Sequence, residues 1–228
     1  MKNKIKSIIL CGGEGLRLRP LTKSVPKPLV EINGKPILSY LLEKLEKTDI
    51  SEHIIAAGYK SEKIYDYFAN NKFKKRIEIV DSGNVDIIVR IQDCLKKIKK
   101  EDVIIFYGDT LSDIDISKMQ EINIKYKRKA SVALWRIRSS FGIMELDNNN
   151  LVTSYKEKPL LDKWINIGYF YLSNILLKKI YKFEKFEDFI DDLIIKKELY
   201  AYKHKGLHYT VNTEEELQQL TKEIYKLK

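Results

Sequence analysis

Cysteine, histidine and long apolar runs are scarce in this chain of 228 residues. Its two cysteines, Cys11 and Cys94, lie far apart and outside any CxxC or Cys/His spacing, which argues against a disulfide scaffold and a zinc site. The three histidines, His53, His204 and His208, are too scattered for a metal cage. His204 and His208 stand four apart, but the stretch around them reads as strand and turn, not helix. The longest apolar runs, residues 8–11 and 103–107, fall far short of the roughly 20 residues a membrane span needs. The basic N-terminus precedes only Ile8-Ile9-Leu10, too short an apolar segment for a signal peptide. There is no long Pro or Gly tract, no low-complexity linker and no repeat. These absences predict a cytoplasmic protein with no membrane partner.

What is present is enough for a sizeable core: 44% of residues are hydrophobic and 11% aromatic, spread evenly along the chain. The formal net charge is +10, with 42 Lys and Arg against 32 Asp and Glu. Such a balance suits anionic partners. The lysines are strewn along helix faces and ends, and neither an Arg-rich arm nor an aromatic RNA-binding box accompanies them, so nucleic acid is not the expected partner. Phosphate-bearing metabolites remain.

Hydrophobic periodicity predicts an alternation of strands and helices. Residues 4–10 read as a buried strand, followed by a Gly/Pro-rich stretch over 11–35. Pro36 opens a helix whose apolar stripe is Ile37, Tyr40, Leu41 and Leu45. Strands follow over 53–57, 76–80 and 103–107, with helices begun by a Ser61 cap and over 85–98 between them. This βαβ series predicts a parallel sheet covered by helices. Thereafter come strands over 130–138, 142–146, 151–155 and 165–172, with Asp147-Asn148-Asn149-Asn150 as a hairpin turn. Helices from Asn174 and Glu187, strands over 200–203 and 207–211, and a helix capped by Thr213 close the chain. The fold class expected is α/β: a Rossmann-like mixed, mainly parallel sheet flanked by helices. A single domain is expected over 1–228, its nucleotide-binding half spanning about 1–112 and its second half about 113–228.

The most informative stretch runs from Leu10 to Thr22 as L-C-G-G-E-G-L-R-L-R-P-L-T, then Pro26-Lys27-Pro28. Glycines directly after a first strand let the backbone turn and approach a ligand, and successive free N–H groups form an anion-binding concavity. The spacing is neither a dinucleotide fingerprint, since Leu18 stands where a third small residue is needed, nor a Walker loop. Arg17 and a rigidly held Lys27 over such a loop suit a triphosphate.

The run G-G-x-G-x-R-L-x-P-x-T followed by P-K-P resembles the signature of the sugar 1-phosphate nucleotidyltransferases, with Leu16 where a Thr usually precedes the arginine. The resemblance covers nearly the whole chain. It implies a nucleotide site built from Leu10, Gly12, Gly13, Glu14, Gly15, Arg17, Lys27, Ser82, Gly83, Tyr107 and Asp109. Tyr107-Gly108-Asp109 looks like the family's G-D at a strand end, where the aspartate binds catalytic Mg²⁺. Glu157-Lys158-Pro159 looks like its E-K-P, in which Glu holds sugar hydroxyls and Lys the sugar phosphate. Phe141-Gly142 and Asn166 with Gly168 resemble further sugar-site segments, Ile167 replacing a glycine. Val211-Asn212-Thr213 matches the place of a second Mg²⁺ ligand, here Asn212, whose carbonyl oxygen is still a hard donor. The implied catalytic group is Arg17, Lys27, Asp109 and Lys158, and the implied place is nucleotide-sugar and polysaccharide biosynthesis.

Between Asp81 and Ile91 the chain looks like the glucose 1-phosphate cytidylyltransferase version of the base loop, with Ile87-Ile88-Val89 in place of Thr-Gly-Gly and one residue fewer. This makes CTP the expected nucleotide, with GTP as in short heptose or mannose 1-phosphate guanylyltransferases second. A cytidylyltransferase for a non-sugar phosphate and a nucleotide-binding regulatory module are further alternatives. So is a metal-dependent glycosyltransferase using Asp113-Ile114-Asp115. The sugar and the oligomeric state stay open, homo-oligomers included.

Overall fold

The computed structural model describes residues 4–227. In chain order the first part comprises β1 (Ile5–Leu10), β2 (Glu31–Ile32), β3 (Lys35–Pro36), α1 (Ile37–Glu46), β4 (Ile50–Ala57), α2 (Ser61–Asn70), β5 (Arg76–Asp81) and α3 (Ile87–Leu95). It continues with β6 (Asp102–Tyr107), β7 (Thr110–Ser112), α4 (Ile116–Lys125), β8 (Ala130–Arg138), β9 (Ile143–Leu146), β10 (Val152–Lys156) and β11 (Leu160–Leu172). The last elements are α5 (Asn174–Leu177), α6 (Phe186–Ile195), β12 (Leu199–His204), β13 (His208–Thr210) and α7 (Glu214–Glu223).

Seven strands make one sheet in the order β12-β8-β11-β6-β1-β4-β5, so strands from both halves of the chain share it. Parallel pairing joins β1 to β4 and β6, β4 to β5, and β12 to β8. Only β11 runs against its neighbours β6 and β8. The α/β class with a mixed, mainly parallel sheet is therefore what the chain adopts. The later residues of the central strands, Ile8-Ile9-Leu10, Ile54-Ile55-Ala56-Ala57 and Val103-Ile104-Ile105-Phe106, are apolar runs because both faces are covered there. Alternate residues go to opposite layers: Ile5 and Ile9 pack with α1, α4 and α7, whereas Ile8 packs with α3 and α6.

Local departures have local causes. The Gly/Pro-rich stretch contains a small hairpin, β2–β3, turned by Asn33 (φ 51°) and Gly34 (φ 74°), the residue pair that tolerates two left-handed positions. Helix α2 starts from Lys60 in the left-handed region, so Ser61 is its first residue and not its cap. Helix α3 is shorter than its apolar spacing predicts because the Asp86 carboxylate accepts from Ile88 N and sets the N-terminus. Strand β11 extends back to Leu160 because β8 pairs with it in three stretches, Leu160 with Arg138, Trp164–Asn166 with Arg136–Leu134, and Phe170–Leu172 with Val132–Ala130, separated by register shifts.

Candidate active site

A cleft of about 540 Å³ opens at the carboxyl ends of β1 and β6, where open parallel sheets bind their ligands. Its first wall is the loop after β1. The loop continues the ladder for one residue, through Cys11 N to Ala56 O at 2.9 Å, and then turns. Gly15 sits at φ 62°, opening a 3₁₀ turn over Leu16–Leu18 that presents Arg17. The Thr22 hydroxyl donates to Gly15 O at 2.9 Å and ties the turn down. Nothing lies within 4 Å of a side chain built on Gly13, which faces open space.

Lys27 is held on a further 3₁₀ turn, Lys27–Leu29, with Pro26 and Pro28 beside it, and its side chain is nearly buried. Its ammonium donates to the Asp109 carboxylate and, at 3.0 Å, to the Asn212 amide oxygen. Arg17 Nη2 reaches that same oxygen at 2.9 Å. Four side chains from three distant parts of the chain thus converge.

The ribbon of β7 and β13 makes that convergence. Thr210 pairs with Thr110 in an antiparallel register, so Asp109, just before β7, comes beside the residues that follow β13. Asn212 Nδ2 donates to the Thr210 hydroxyl at 3.1 Å, which turns the amide oxygen toward the two cations. Its backbone N–H is taken by the Glu216 carboxylate in the first turn of α7, whose N–H in turn donates to the Thr213 hydroxyl at 3.2 Å.

Electrostatics in the cleft follow from burial. The Cys11 thiol is fully buried and pushed well above its ordinary pKa, with the Asp109 charge adding to the effect, so it stays a neutral wall. Tyr107 is raised as well, first by burial and then by Asp109 and Glu187, and remains a phenol. Among the described residues no group of three or more His, Cys, Asp or Glu is placed to hold a metal ion. Asp109 and Asn212 nevertheless offer two hard oxygens already directed at one cation, the Lys27 ammonium. That donor set fits a Mg²⁺ ion drawing its remaining ligands from phosphate and water.

Of the expected nucleotide residues, Leu10, Gly12, Gly13, Glu14, Gly15, Arg17, Lys27, Tyr107 and Asp109 line the cleft, as does Asn212. Glu14 also faces Arg19 at 3.4 Å. Ser82 and Gly83 do not line it; their loop contributes Asn84 and Val85 instead, followed by Ile87 and Arg90 of α3. Arg90 lies within the base-loop pattern from Asp81 to Ile91 but is not among the expected site residues, because an arginine in a helical run reads as solvated. A steric signal existed in the two glycines, Gly12 and Gly58, that make room for it.

The expected sugar residues are placed differently. Asn166 lies at a bulge of β11, where its Oδ1 accepts from Gly168 N at 2.8 Å and Gly168 takes φ 79°. A second cleft of about 510 Å³ contains Asn166 and shares Tyr107 with the first. Gly142, Glu157 and Lys158 line neither cleft. They belong to an exposed arm around the β9–β10 hairpin, where Tyr155 donates to the Glu157 carboxylate and Arg138 Nη1 donates to Lys158 O at 3.0 Å. The Asp113-Ile114-Asp115 carboxylates are engaged elsewhere. Asp113 accepts from Leu207 N at 2.6 Å, and Asp115 caps α4 by accepting from Lys118 N at 2.8 Å.

Comparison with known proteins bears on the family and the fold. The family model described as nucleotidyl transferase matches residues 6–216. The bifunctional protein GlmU of Methanocaldococcus jannaschii is 34% identical over 78% of the chain, which spans only 40% of that protein. A D-glycero-alpha-D-manno-heptose 1-phosphate guanylyltransferase of Campylobacter jejuni is 34% identical over 80% of this chain and 84% of its own. A protein named probable glucose-1-phosphate cytidylyltransferase in Bacillus subtilis is 29% identical over 96% and 95%. A solved UDP-glucose pyrophosphorylase carrying UDP-glucose shares the fold at a TM-score of 0.77 and 19% identity, covering 99% of this chain and all of that one. No helix among the described residues is long and apolar enough to cross a membrane.

Proposed function

The chain belongs to the sugar 1-phosphate nucleotidyltransferase family, and on that premise we propose that it moves a nucleotidyl group from a nucleoside triphosphate to a sugar 1-phosphate, releasing pyrophosphate. The observation that carries this reading is the convergence of Arg17, Lys27, Asp109 and Asn212 in one cleft beside the glycine loop.

A sugar phosphate oxygen attacks the α-phosphorus in line as the bond to the β-phosphate breaks. No covalent intermediate with the chain is needed, so the residues position and neutralise. The free N–H groups around Gly13 cradle the triphosphate. Lys27 turns from Asp109 to the α-phosphate, and Arg17 steadies the departing pyrophosphate. Asp109 and Asn212 would hold a Mg²⁺ ion, which would supply charge neutralisation to the triphosphate. Tyr107 and Asn166 border the acceptor, and Glu157 and Lys158 reach it when the exposed arm folds inward.

CTP is the nucleotide we favour. The base-loop pattern from Asp81 to Ile91 and the Bacillus subtilis relative, matched over nearly both full lengths, support it. GTP is the second reading, because the Campylobacter jejuni relative at 34% identity is named for guanylyl transfer.

Pyrophosphate release with CTP, GTP, UTP, ATP and dTTP against glucose, mannose, N-acetylglucosamine and heptose 1-phosphates tests both levels. Release with one nucleotide fixes reaction and base together. Folded protein that binds nucleotide and releases none with every acceptor overturns the reading.

A further inference from the structure

Strand β12 ends at His204 and β13 begins at His208, and the turn between them is gripped by Ser112 and Asp113, at the far end of β7 from Asp109. Asp113 Oδ1 accepts from Leu207 N at 2.6 Å, and Asp113 N donates to Leu207 O at 3.2 Å. The Ser112 hydroxyl donates to the same carbonyl at 2.8 Å. His204 Nε2 lies 2.9 Å from Asp113 Oδ1 and 3.1 Å from both Ser112 Oγ and Leu207 O. Three acceptors surround that nitrogen, so it carries the proton. A Cβ on Gly206 would lie 2.3 Å from Asp113 Oδ1, so the glycine is what lets the carboxylate rest on the turn.

The grip acts on a short ladder. Strands β7 and β13 share three pairs, Ser112 with His208, Leu111 with Tyr209 and Thr110 with Thr210. So short a pairing specifies its own register weakly. A slip of two residues keeps every side chain on its face, yet carries Asn212 roughly 7 Å along β7, out of reach of the Asp109 carboxylate. Strand β7 is itself buried and tied to α1, since Lys44 donates to Ser112 O at 2.5 Å. Thr210 and Glu216 orient Asn212 within its own segment. How far that segment stands from Asp109 is decided by its register on β7.

We propose that Asp113 is a positioning residue for the metal donors: its hold on the turn before β13 sets the register that brings the Asn212 amide oxygen beside the Asp109 carboxylate. The inference rests on the reading of that pair as donors to a divalent cation. Asp113 touches neither substrate nor metal in it and acts through β13. Its side chain is 41% exposed, so removing it opens no cavity in the core.

Mn²⁺ alone, titrated into the wild type, Asp113→Ala, Asp113→Asn and Gly206→Ala and followed by electron paramagnetic resonance, tests it. Asp113→Ala should weaken Mn²⁺ binding about tenfold, the scale of losing a group that orients a metal's ligands. Asp113→Asn should stay within about twofold of the wild type, because an amide oxygen still accepts from Leu207 N and His204. Gly206→Ala keeps Asp113 in the chain but pushes its carboxylate off the turn, and should weaken Mn²⁺ as Asp113→Ala does. That variant carries the test if Asp113→Ala shows no cooperative melting. A merely structural role lowers Tm in both variants while Mn²⁺ affinity in the folded protein holds, and that result overturns the proposal. Equal losses in Asp113→Asn and Asp113→Ala overturn it too, since the hydrogen bonds to the turn would then not be what matters.

The pyrophosphate assay separates this from the reaction. Mn²⁺ affinity that depends on Asp113, without pyrophosphate release for any pairing, keeps the positioning role and discards the transfer. Release with a Mg²⁺ requirement and a Mn²⁺ affinity unmoved by Asp113→Ala does the reverse. A wild type that takes up no Mn²⁺ discards the donor pair and the proposal with it.

Discussion

Lys27 and Asn212 are 185 residues apart in the chain and 3.0 Å apart in the fold, with the Asp109 carboxylate on the same ammonium. The two oxygens suited to a divalent cation are therefore both bonded to a monovalent one. Phosphate binding, by drawing Lys27 away, would free them.

Lys27→Met should lower kcat by about 10²-fold or more, the scale of losing one preorganised electrostatic group. The same variant should bind Mn²⁺ more tightly than the wild type in the absence of nucleotide, measured by electron paramagnetic resonance titration. Unchanged Mn²⁺ affinity would show that the ammonium and the metal do not share a place.

Asn212→Asp puts a second carboxylate beside Lys27 and Arg17. Half-maximal activity should then need several-fold less Mg²⁺, since hard cations favour charged oxygen ligands. An activity profile against Mg²⁺ concentration, with EDTA-treated protein as the zero point, reads this directly.

Gly168→Ala strains a φ of 79° and sets a methyl group 2.7 Å from the Tyr107 ring. The backbone conflict alone costs about 1 kcal/mol, and the ring must also move. A fall of several degrees in Tm with a raised KM for the acceptor is expected. An unaltered KM would separate Tyr107 from the acceptor side.

Acid should destabilise the fold between about pH 6.5 and 4 through two buried histidines. Burial, helped by the Lys75 charge, brings the His53 pKa down to about 4 from 6.5, and burial first, then His204, brings His208 down to about 4. Below about pH 6.5 the unfolded chain takes up protons that the folded chain refuses, so stability is full above that pH and falls towards pH 4. The slope should be on the order of 1 kcal/mol per pH unit for the fully buried His53. Urea midpoints at pH 7 and 5 measure it, and His53→Asn should reduce the difference, leaving the part that His208 carries. An equal slope in the variant would place the loss elsewhere.

The sheet and its helices were legible because apolar spacing reports directly which face is buried, as along Ile37, Leu41 and Leu45 of α1. The glycine loop, Lys27 and Tyr107-Gly108-Asp109 were legible as a motif that encodes unusual backbone and fixed charge. The β7–β13 pairing was not, because three-residue strands carry no periodicity and their partnership is set by the rest of the fold. Arg90 falls in the base-loop pattern, but its burial was not legible, for a related reason. Burial of a cation is decided by carbonyls at Ala57, Gly83 and Val85, none of them near it in a helical pattern. The arm bearing Glu157 and Lys158 exposes most of its side chains, so its spacing says little about where those groups rest.

The ribbon between β7 and β13 gives the order of residues along the chain a temporal meaning. A ribosome delivers the glycine loop, Lys27 and Asp109 early, and these can settle on the growing sheet while the rest is still being made. Asn212 arrives about a hundred residues after Asp109 and is brought to it only when β13 zips against β7. A nascent chain therefore has a phosphate cradle well before it has a complete pair of oxygen donors. A product ending before β13 would keep the cradle but lack both Asn212 and the α7 cover over the Ile5 and Ile9 face of the sheet, so the last residues to arrive complete the metal donors and close the core together.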